Sequence, residues 1–262
     1  MSRLIIWGSG ELGMRVALRW LQTGHPVLGF TRSIQRHSDL KAAGIEPATG
    51  SPEALLRSDD CLLLAIPGHT NQQAAVEQLH KAQVPIPSRS IFISVSGYYG
   101  AAPGLIAVNS PPGEDGRSAS IVAAEQAFWD WAGNQGVILR LGGLYSLTRG
   151  PFAALARRGK VTRRTAADKT MALIHYDDAA AAIMAALKHP DPDRAYLGVT
   201  PPCPTREEFY GLACKVLDLP LPDFDPPTGL SPTEFDVTSL RRDLLPEPEY
   251  PDWRMGFAAP PR

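Results

Sequence analysis

The sequence predicts an α/β fold built on a doubly wound parallel sheet, with a small C-terminal substrate lobe. Three observations carry this: the first half alternates short apolar runs with stretches of helical period, the runs are apolar almost without interruption, and a glycine-rich turn follows the first of them. Continuous apolarity is what a strand needs when both sheet faces are covered. Strands are expected at Leu4 to Trp7, Pro26 to Phe30, Cys61 to Ile66, Ser90 to Val95 and Val137 to Leu141. Between the first two, Met14, Ala17, Leu18 and Leu21 recur at helical spacing, and Gly24 followed by Pro26 supplies the stop. Gln72 to Lys81 and Ala119 to Trp131 read as crossover helices, and the Gly- and Pro-rich stretch Gly100 to Gly116 as a long loop placed like a lid. Further on, Asp177 and Asp178 supply an N-cap and a first-turn acid, Ala179 to Leu187 are strong helix formers, and Lys188, His189 and Pro190 end that helix. The tail from Pro220 to Arg262 carries little periodicity.

The 262 residues suit one large domain or a domain with an appended lobe. We expect a dinucleotide-binding core over 1–147 and a smaller lobe over 148–262, with 171–199 returning to the core. With 44% hydrophobic and 20% charged residues and a net charge of -1, the composition is globular and argues against disorder or a polycation. No run approaches the roughly 18 apolar residues of a membrane helix, and the N-terminus shows no cleavage site, so a cytoplasmic protein is expected. Cys61, Cys203 and Cys214 have neither disulfide-framework nor metal-site spacing, and no metal is expected.

Gly8-Ser9-Gly10-Glu11-Leu12-Gly13 is a G-x-G-x-x-G between the first strand and its helix. Gly8 permits the tight turn, Gly10 lets the backbone approach a pyrophosphate, and Gly13 lets helix and strand pack closely, with the phosphates at the positive helix end. The second strand runs into Thr31-Arg32-Ser33, where an NAD site would place an acid for the ribose. A hydroxyl and a guanidinium suit a 2′-phosphate instead, so NADP(H) is favoured and NAD(H) stays open. A solvated Arg32 is the plain alternative.

Three later segments join this loop in a wider pattern: Ile93-Ser94-Val95-Ser96-Gly97-Tyr98-Tyr99-Gly100, Leu139-Arg140-Leu141-Gly142-Gly143-Leu144-Tyr145, and Leu173-Ile174-His175-Tyr176-Asp177-Asp178-Ala179. With the tail Tyr250-Pro251-Asp252-Trp253-Arg254-Met255-Gly256, they resemble the short-chain dehydrogenase/reductase superfamily, in its extended, NAD-dependent epimerase/dehydratase-like branch. The resemblance implies a Rossmann-type core, with Gly142, Gly143 and Leu144 bordering the nicotinamide. Ala65, Ile66 and Pro67, at the end of the third strand, are assigned to the cofactor with the glycine loop, and Ser94 is assigned to cofactor and catalysis alike. Departures from the family mark an atypical member. Its Tyr-x-x-x-Lys pair is absent, Arg117 and Ile121 standing at the two places, and its catalytic Ser/Thr falls on Val95.

Candidates for the chemistry are therefore Ser94 and Ser96, which share a strand face if the strand stays regular, and Tyr98 and Tyr99 as replacement proton donors. Each has a plain reading beside it, backbone-satisfied serines and packed tyrosines. Tyr145, Arg149 and His175 are the substrate candidates, His175 with a structural role as its alternative. From Trp131 to Ala167 there is no acid but seven basic residues, Arg140, Arg149, Arg157, Arg158, Lys160, Arg163 and Arg164. Arg140 is expected inside and the others as a positive rim for an anionic ligand, or as a solvated face. The expected activity is an NADP(H)-dependent oxidoreductase or epimerase/dehydratase on a small molecule, the alternative a non-catalytic NADP(H)-binding redox sensor. Nucleic acid and membrane are not expected as partners, and a homodimer stays open.

Overall fold

A computed structural model describes residues 2–161 and 166–257. The chain runs β1 (Leu4–Trp7), α1 (Glu11–Leu21), β2 (Val27–Thr31), α2 (His37–Ala42), β3 (Glu46–Thr49), β4 (Cys61–Leu64), α3 (His69–Lys81), β5 (Arg89–Val95), β6 (Gly104–Ile106) and α4 (Gly116–Ala132). It continues through β7 (Gly136–Leu141), β8 (Gly143–Tyr145), α5 (Pro151–Arg158), β9 (Leu173–His175), α6 (Tyr176–Lys188), β10 (Ala195–Gly198), α7 (Arg206–Leu217), β11 (Thr233–Phe235) and α8 (Thr238–Asp243).

Seven strands form one sheet in the order β10-β7-β5-β4-β1-β2-β3, and every pairing in it is parallel. The order reverses between β1 and β4, and a crevice opens beyond the strand ends at such a switch point. α1 and α6 pack on one face around Leu4, Ile6, Leu63, Ile91 and Leu139. The other face is covered around Ile5, Leu62, Leu64, Phe92 and Ile138, with Val76 and Leu79 of α3 and Phe128 and Trp131 of α4. The predicted doubly wound sheet is what the chain forms.

Gly13 decides how α1 is rotated. A Cβ there would lie 2.7 Å from the Gly8 carbonyl oxygen and 3.0 Å from Ile6, so this face must be the one against the sheet. Leu12, Val16, Ala17 and Trp20 are buried with it, whereas Leu18, expected in the stripe, is 43% exposed. The edge strand β3 went unread in the sequence because Glu46-Pro47-Ala48-Thr49 has no apolar run; Pro is tolerated at an edge. β10, also unread, is the other edge and pairs with β7, and α6 packs on α1.

The expected lid, Gly100 to Gly116, is pinned. It contains β6, which pairs with β11 of the tail, and Val108 accepts hydrogen bonds from Tyr99 and Arg140. A separate apolar cluster of Tyr145, Phe152, Leu155, Phe209, Cys214 and Trp253 organises the lobe. Tail residue Gly256 lies so close to the Tyr145 ring that a Cβ would collide with it, which locks the tail to β8. Among the described residues no helix is long and apolar enough to cross a membrane.

Candidate functional site

A cavity of about 810 Å³ lies over the ends of β1, β2 and β4. Gly8 turns at φ +111, and a Cβ there would stand 2.5 Å from the Ala65 carbonyl carbon; Gly10, by contrast, faces open space. The loop is fixed by the Gly8 and Ser9 N–H groups, which donate to the Phe30 carbonyl at 3.3 and 3.0 Å. Ser9 contributes backbone: its side chain is buried against Gly29, where a Cβ would meet it at 2.7 Å. Beyond Gly10, α1 begins without a side-chain cap, leaving first-turn N–H groups to serve an anion. Glu11, in that turn, is engaged by Arg15 at 3.1 Å and Arg149 at 3.4 Å.

Gly8, Ser9, Gly10, Thr31, Arg32, Ala65, Ile66 and Pro67 all line this cavity. Leu12 and Gly13 are buried in the loop's packing instead. The sequence reading missed Arg36, whose guanidinium donates to the Ser9 carbonyl at 3.1 Å and lines the same cavity. Its signal was present, four residues after Arg32, on the short helical turn Ile34–Arg36. Thr31 is held in place by its bond to the Ser33 carbonyl at 2.8 Å and its contact with His37. Among the described residues no carboxylate lines the cavity, and the residues present fit a dinucleotide. Replacing Gly10 with Ala, which meets nothing within 4 Å, should move the unfolding midpoint by only a few degrees, the difference between Gly and Ala at an N-cap. It should weaken NADPH and NADH alike by about tenfold or more, since the methyl occupies the approach to the pyrophosphate. Isothermal titration beside thermal unfolding checks this.

The structure corrects most of the catalytic candidates. The strand is regular through Val95, but Ser96 begins a helical turn, so Ser94 and Ser96 do not share a face. Ser94 is 0% exposed and donates to Glu125 of α4 at 2.5 Å, away from any crevice. Glu125 in turn takes a two-pronged pair from Arg140 of β7, with Nη2 at 2.7 Å and Nε at 3.0 Å. Arg140 also donates to the Tyr99 hydroxyl at 2.9 Å, and its guanidinium lies 3.5 Å over the Tyr98 ring. Tyr98 thus serves as the face of a cation–π contact. The Tyr99 hydroxyl is bonded to Val108 and Arg140, and burial pushes its pKa up, against the needs of an acid. Among the described residues, the Ser96 and Tyr98 hydroxyls make no hydrogen bond.

The substrate candidates are also redistributed. His175 caps α6, its Nδ1 accepting from the Asp177 N–H at 3.2 Å, so the cap is this histidine rather than Asp177. Its ring stacks 3.5 Å from Tyr250 and meets Tyr145 edge-on, and neither residue lines a cavity at the strand ends. Asp177 bridges to Arg15 and Arg19 of α1, and the buried Asp178 accepts from the N–H groups of Glu249 and Tyr250. The motif therefore joins α6 to α1 and to the tail. Tyr145 is buried, and that burial pushes its phenol well above the usual range.

Burial holds the His175 pKa down to about 4, with Arg15 and Arg19 adding to the effect and Asp177 opposing it. Its neutral form is favoured by folding, so this stability is complete above pH 6.5 and is lost as pH falls towards 4, amounting to on the order of 3 kcal/mol. His175→Asn keeps a capping acceptor and should remove that slope. Urea melts of both proteins from pH 7 to 4 compare them while Asp177, Asp178 and their partners titrate in each.

A second cavity, of about 410 Å³, opens at the ends of β5 and β7, farther along the same sheet edge. Ser96, Gly97, Gly143, Leu173 and Phe235 line it, with Arg117 at its border. Gly143 faces this space, whereas Gly142 is packed against Ala172. Arg117 stands on the first turn of α4, which Asp115 caps and which Ser118 ties to the Gly97 carbonyl at 3.1 Å. The family's tyrosine place is thus filled by a guanidinium lying against Gly97. Among the described residues no group of His, Cys, Asp or Glu forms a metal site.

Fold and glycine loop together define a Rossmann-type α/β architecture, the one shared by solved epimerase/dehydratase-type proteins. Residues 3–98 match the family described as NADP oxidoreductase, coenzyme F420-dependent. Nothing among curated proteins matches the chain. Among solved structures, a functionally unknown conserved protein from Silicibacter pomeroyi superposes with a TM-score of 0.79 at 21% identity, covering 98% of this chain and 97% of that one. UDP-glucuronic acid 4-epimerase from Bacillus cereus, in complex with NAD, gives 0.78 at 18% identity over 98% and 96%. UDP-glucose 4-epimerase from Thermotoga maritima, with UDP-glucose, gives 0.76 at 16% over the same shares. At these identities the likeness is one of fold.

Proposed function

We propose that the protein is an NADP(H)-dependent oxidoreductase, or a related epimerase/dehydratase, acting on a small anionic substrate without the Tyr-x-x-x-Lys pair. One observation carries the reading: the crevice over β1 and β2 is lined by Arg32 and Arg36 and, among the described residues, by no carboxylate. The match of residues 3–98 to a family described as NADP oxidoreductase supports the phosphorylated cofactor. When bound, that cofactor supplies a hydride donor or acceptor. The first-turn N–H groups of α1 hold its pyrophosphate, and the two arginines hold the 2′-phosphate. The substrate lies in the cavity beside Ser96 and Gly97, where Arg117 anchors an anionic or carbonyl oxygen. With Tyr99 tied to Arg140, the rate rests on positioning and on a substrate already activated, or on a proton from water or Ser96.

The tie of the Tyr99 phenol to Arg140 and Val108 favours a second reading, a non-catalytic sensor of NADP(H) redox state. The same experiments separate the two. Thermal unfolding is followed with NADPH, NADP, NADH and NAD, and a carbonyl and imine substrate panel is screened for NADPH oxidation. The phosphorylated pair should raise the midpoint by roughly 5 to 10 °C at about 100 times Kd, and the other pair far less. No shift with any nucleotide would remove both readings, and a shift without turnover on any substrate would leave the sensor.

A further inference from the structure

We propose that His69 is the proton-transfer residue of the site, its imidazole placed between the nucleotide crevice and the cavity beside Ser96, and its tautomer set by Gln72. This rests on the oxidoreductase reading above and names a proton source within the chain. His69 opens α3, directly after Gly68 at φ +88. Pro67 before it and Asn71 after it line the nucleotide crevice, and Asn71 donates to the Pro67 carbonyl at 3.1 Å, so this turn forms one wall of that crevice. On its other side α3 packs against α4, and His69 comes near enough to Arg117, at the border of the second cavity, to feel its charge. The imidazole thus stands where the two cavities approach each other.

Two buried polar atoms on this turn are left for each other. Gln72 is 4% exposed, and its Nε2 donates to the Ile93 carbonyl of β5 at 2.8 Å, which leaves Oε1 buried and, among the described residues, without a hydrogen bond. His69 Nδ1, three residues earlier on the same helix face, is likewise buried without a partner. The fixed amide oxygen suits a proton on Nδ1, which leaves Nε2 of the half-buried ring as the open acceptor. Burial lowers the His69 pKa; Gln72 opposes this, Arg117 of α4 adds to it and Glu125 of α4 opposes it. The positive end of α3 acts in the lowering direction as well. Neutral imidazole is therefore the resting form at pH 7, ready to accept a proton. In alcohol oxidation Nε2 takes the hydroxyl proton while the C–H bond gives its electron pair to an oxidised nicotinamide dinucleotide and the C=O bond forms. In carbonyl reduction the imidazolium returns that proton to the oxygen. An iminium accepts hydride without gaining a proton, so its reduction makes no use of His69.

The test joins NMR to kinetics on the full chain. Ring signals are followed in protein carrying nitrogen-15 histidine, His69 being the one of the six histidines whose signal is missing from His69→Gln. In the wild type His69 should titrate below about pH 6.5, carry its neutral proton on Nδ1, and shift when NADP is added to saturation. A signal that NADP leaves unmoved, or a neutral proton on Nε2, overturns the proposal. NADPH oxidation is then compared on carbonyl and imine substrates. His69→Gln should lower kcat/KM on carbonyls by about 100-fold or more and remove its pH dependence around the His69 midpoint. Imine reduction should stay within about threefold, and an unchanged unfolding midpoint verifies folding. Equal losses on both substrate classes would make His69 a structural residue and overturn its role in proton transfer. Wild-type turnover separates the two failures. No turnover on any substrate removes the oxidoreductase reading and this role together, whereas carbonyl turnover that survives His69→Gln removes His69 alone.

Discussion

Replacing Glu125 with Gln should lower stability by about 3–5 kcal/mol, the cost of leaving a buried charge without its partner. For a chain of this size that is a fall in the unfolding midpoint of roughly 10 °C. Arg140 and Glu125 are 3% and 1% exposed, and the guanidinium is also bonded to Tyr99 and Val108. Replacing the carboxylate by an amide strands the cation among groups that cannot neutralise it. The double variant Glu125→Leu with Arg140→Met should be less damaged than the sum of its single changes, because no uncompensated charge then remains. Additive losses in denaturant melts would show that the two side chains act independently. The same network ties the turn after β5 to Val108, two residues beyond Ile106, which lines the second cavity with Tyr99. On the proposed function, the single variants should therefore weaken substrate analogues while nucleotide affinity changes little.

The second large effect is expected at the cofactor. Arg32→Ala combined with Arg36→Ala should weaken NADPH by about 100-fold or more, each arginine contributing a charge-assisted bond worth roughly 1.5–3 kcal/mol. NADH should change by only a few-fold, since it lacks the phosphate. The single variants will differ from each other. Arg32 is exposed at the crevice and should act on the phosphate alone, whereas Arg36 also holds the Ser9 carbonyl and should have a small effect on both nucleotides. Competition titrations with all four nucleotides give the ratio directly. Equal losses for NADPH and NADH would remove the 2′-phosphate assignment and leave the pyrophosphate loop intact.

The glycine loop was legible because its demands are local. Gly8 must turn at positive φ, Gly10 must stay bare and Gly13 must pack, and three residue identities at fixed spacing record all of that. Apolar runs buried on two sides betray themselves in the same way. The chemistry-bearing half was less legible. Ser94, Tyr98 and Tyr99 have the residue types of a catalytic set, yet Glu125, 31 residues beyond Ser94, and Arg140 claim them. A sequence shows that a serine ends a strand, but not which helix covers the face it points to. His175 illustrates the same limit, its imidazole becoming a helix cap once Tyr250 arrives from the tail.

By itself the sequence determined the parallel sheet, the dinucleotide loop and the want of an acid after β2, because each depends on short-range spacing and on residue size or charge. Tertiary structure alone decided which polar groups remain available. It buried Ser94 and His175, turned Tyr98 and Tyr99 to Arg140, and drew Arg117, Lys169 and Arg206 from three distant segments to one cavity. The physical reason is that a polar side chain's role depends on who satisfies it, and those partners come from chain segments that only folding brings together.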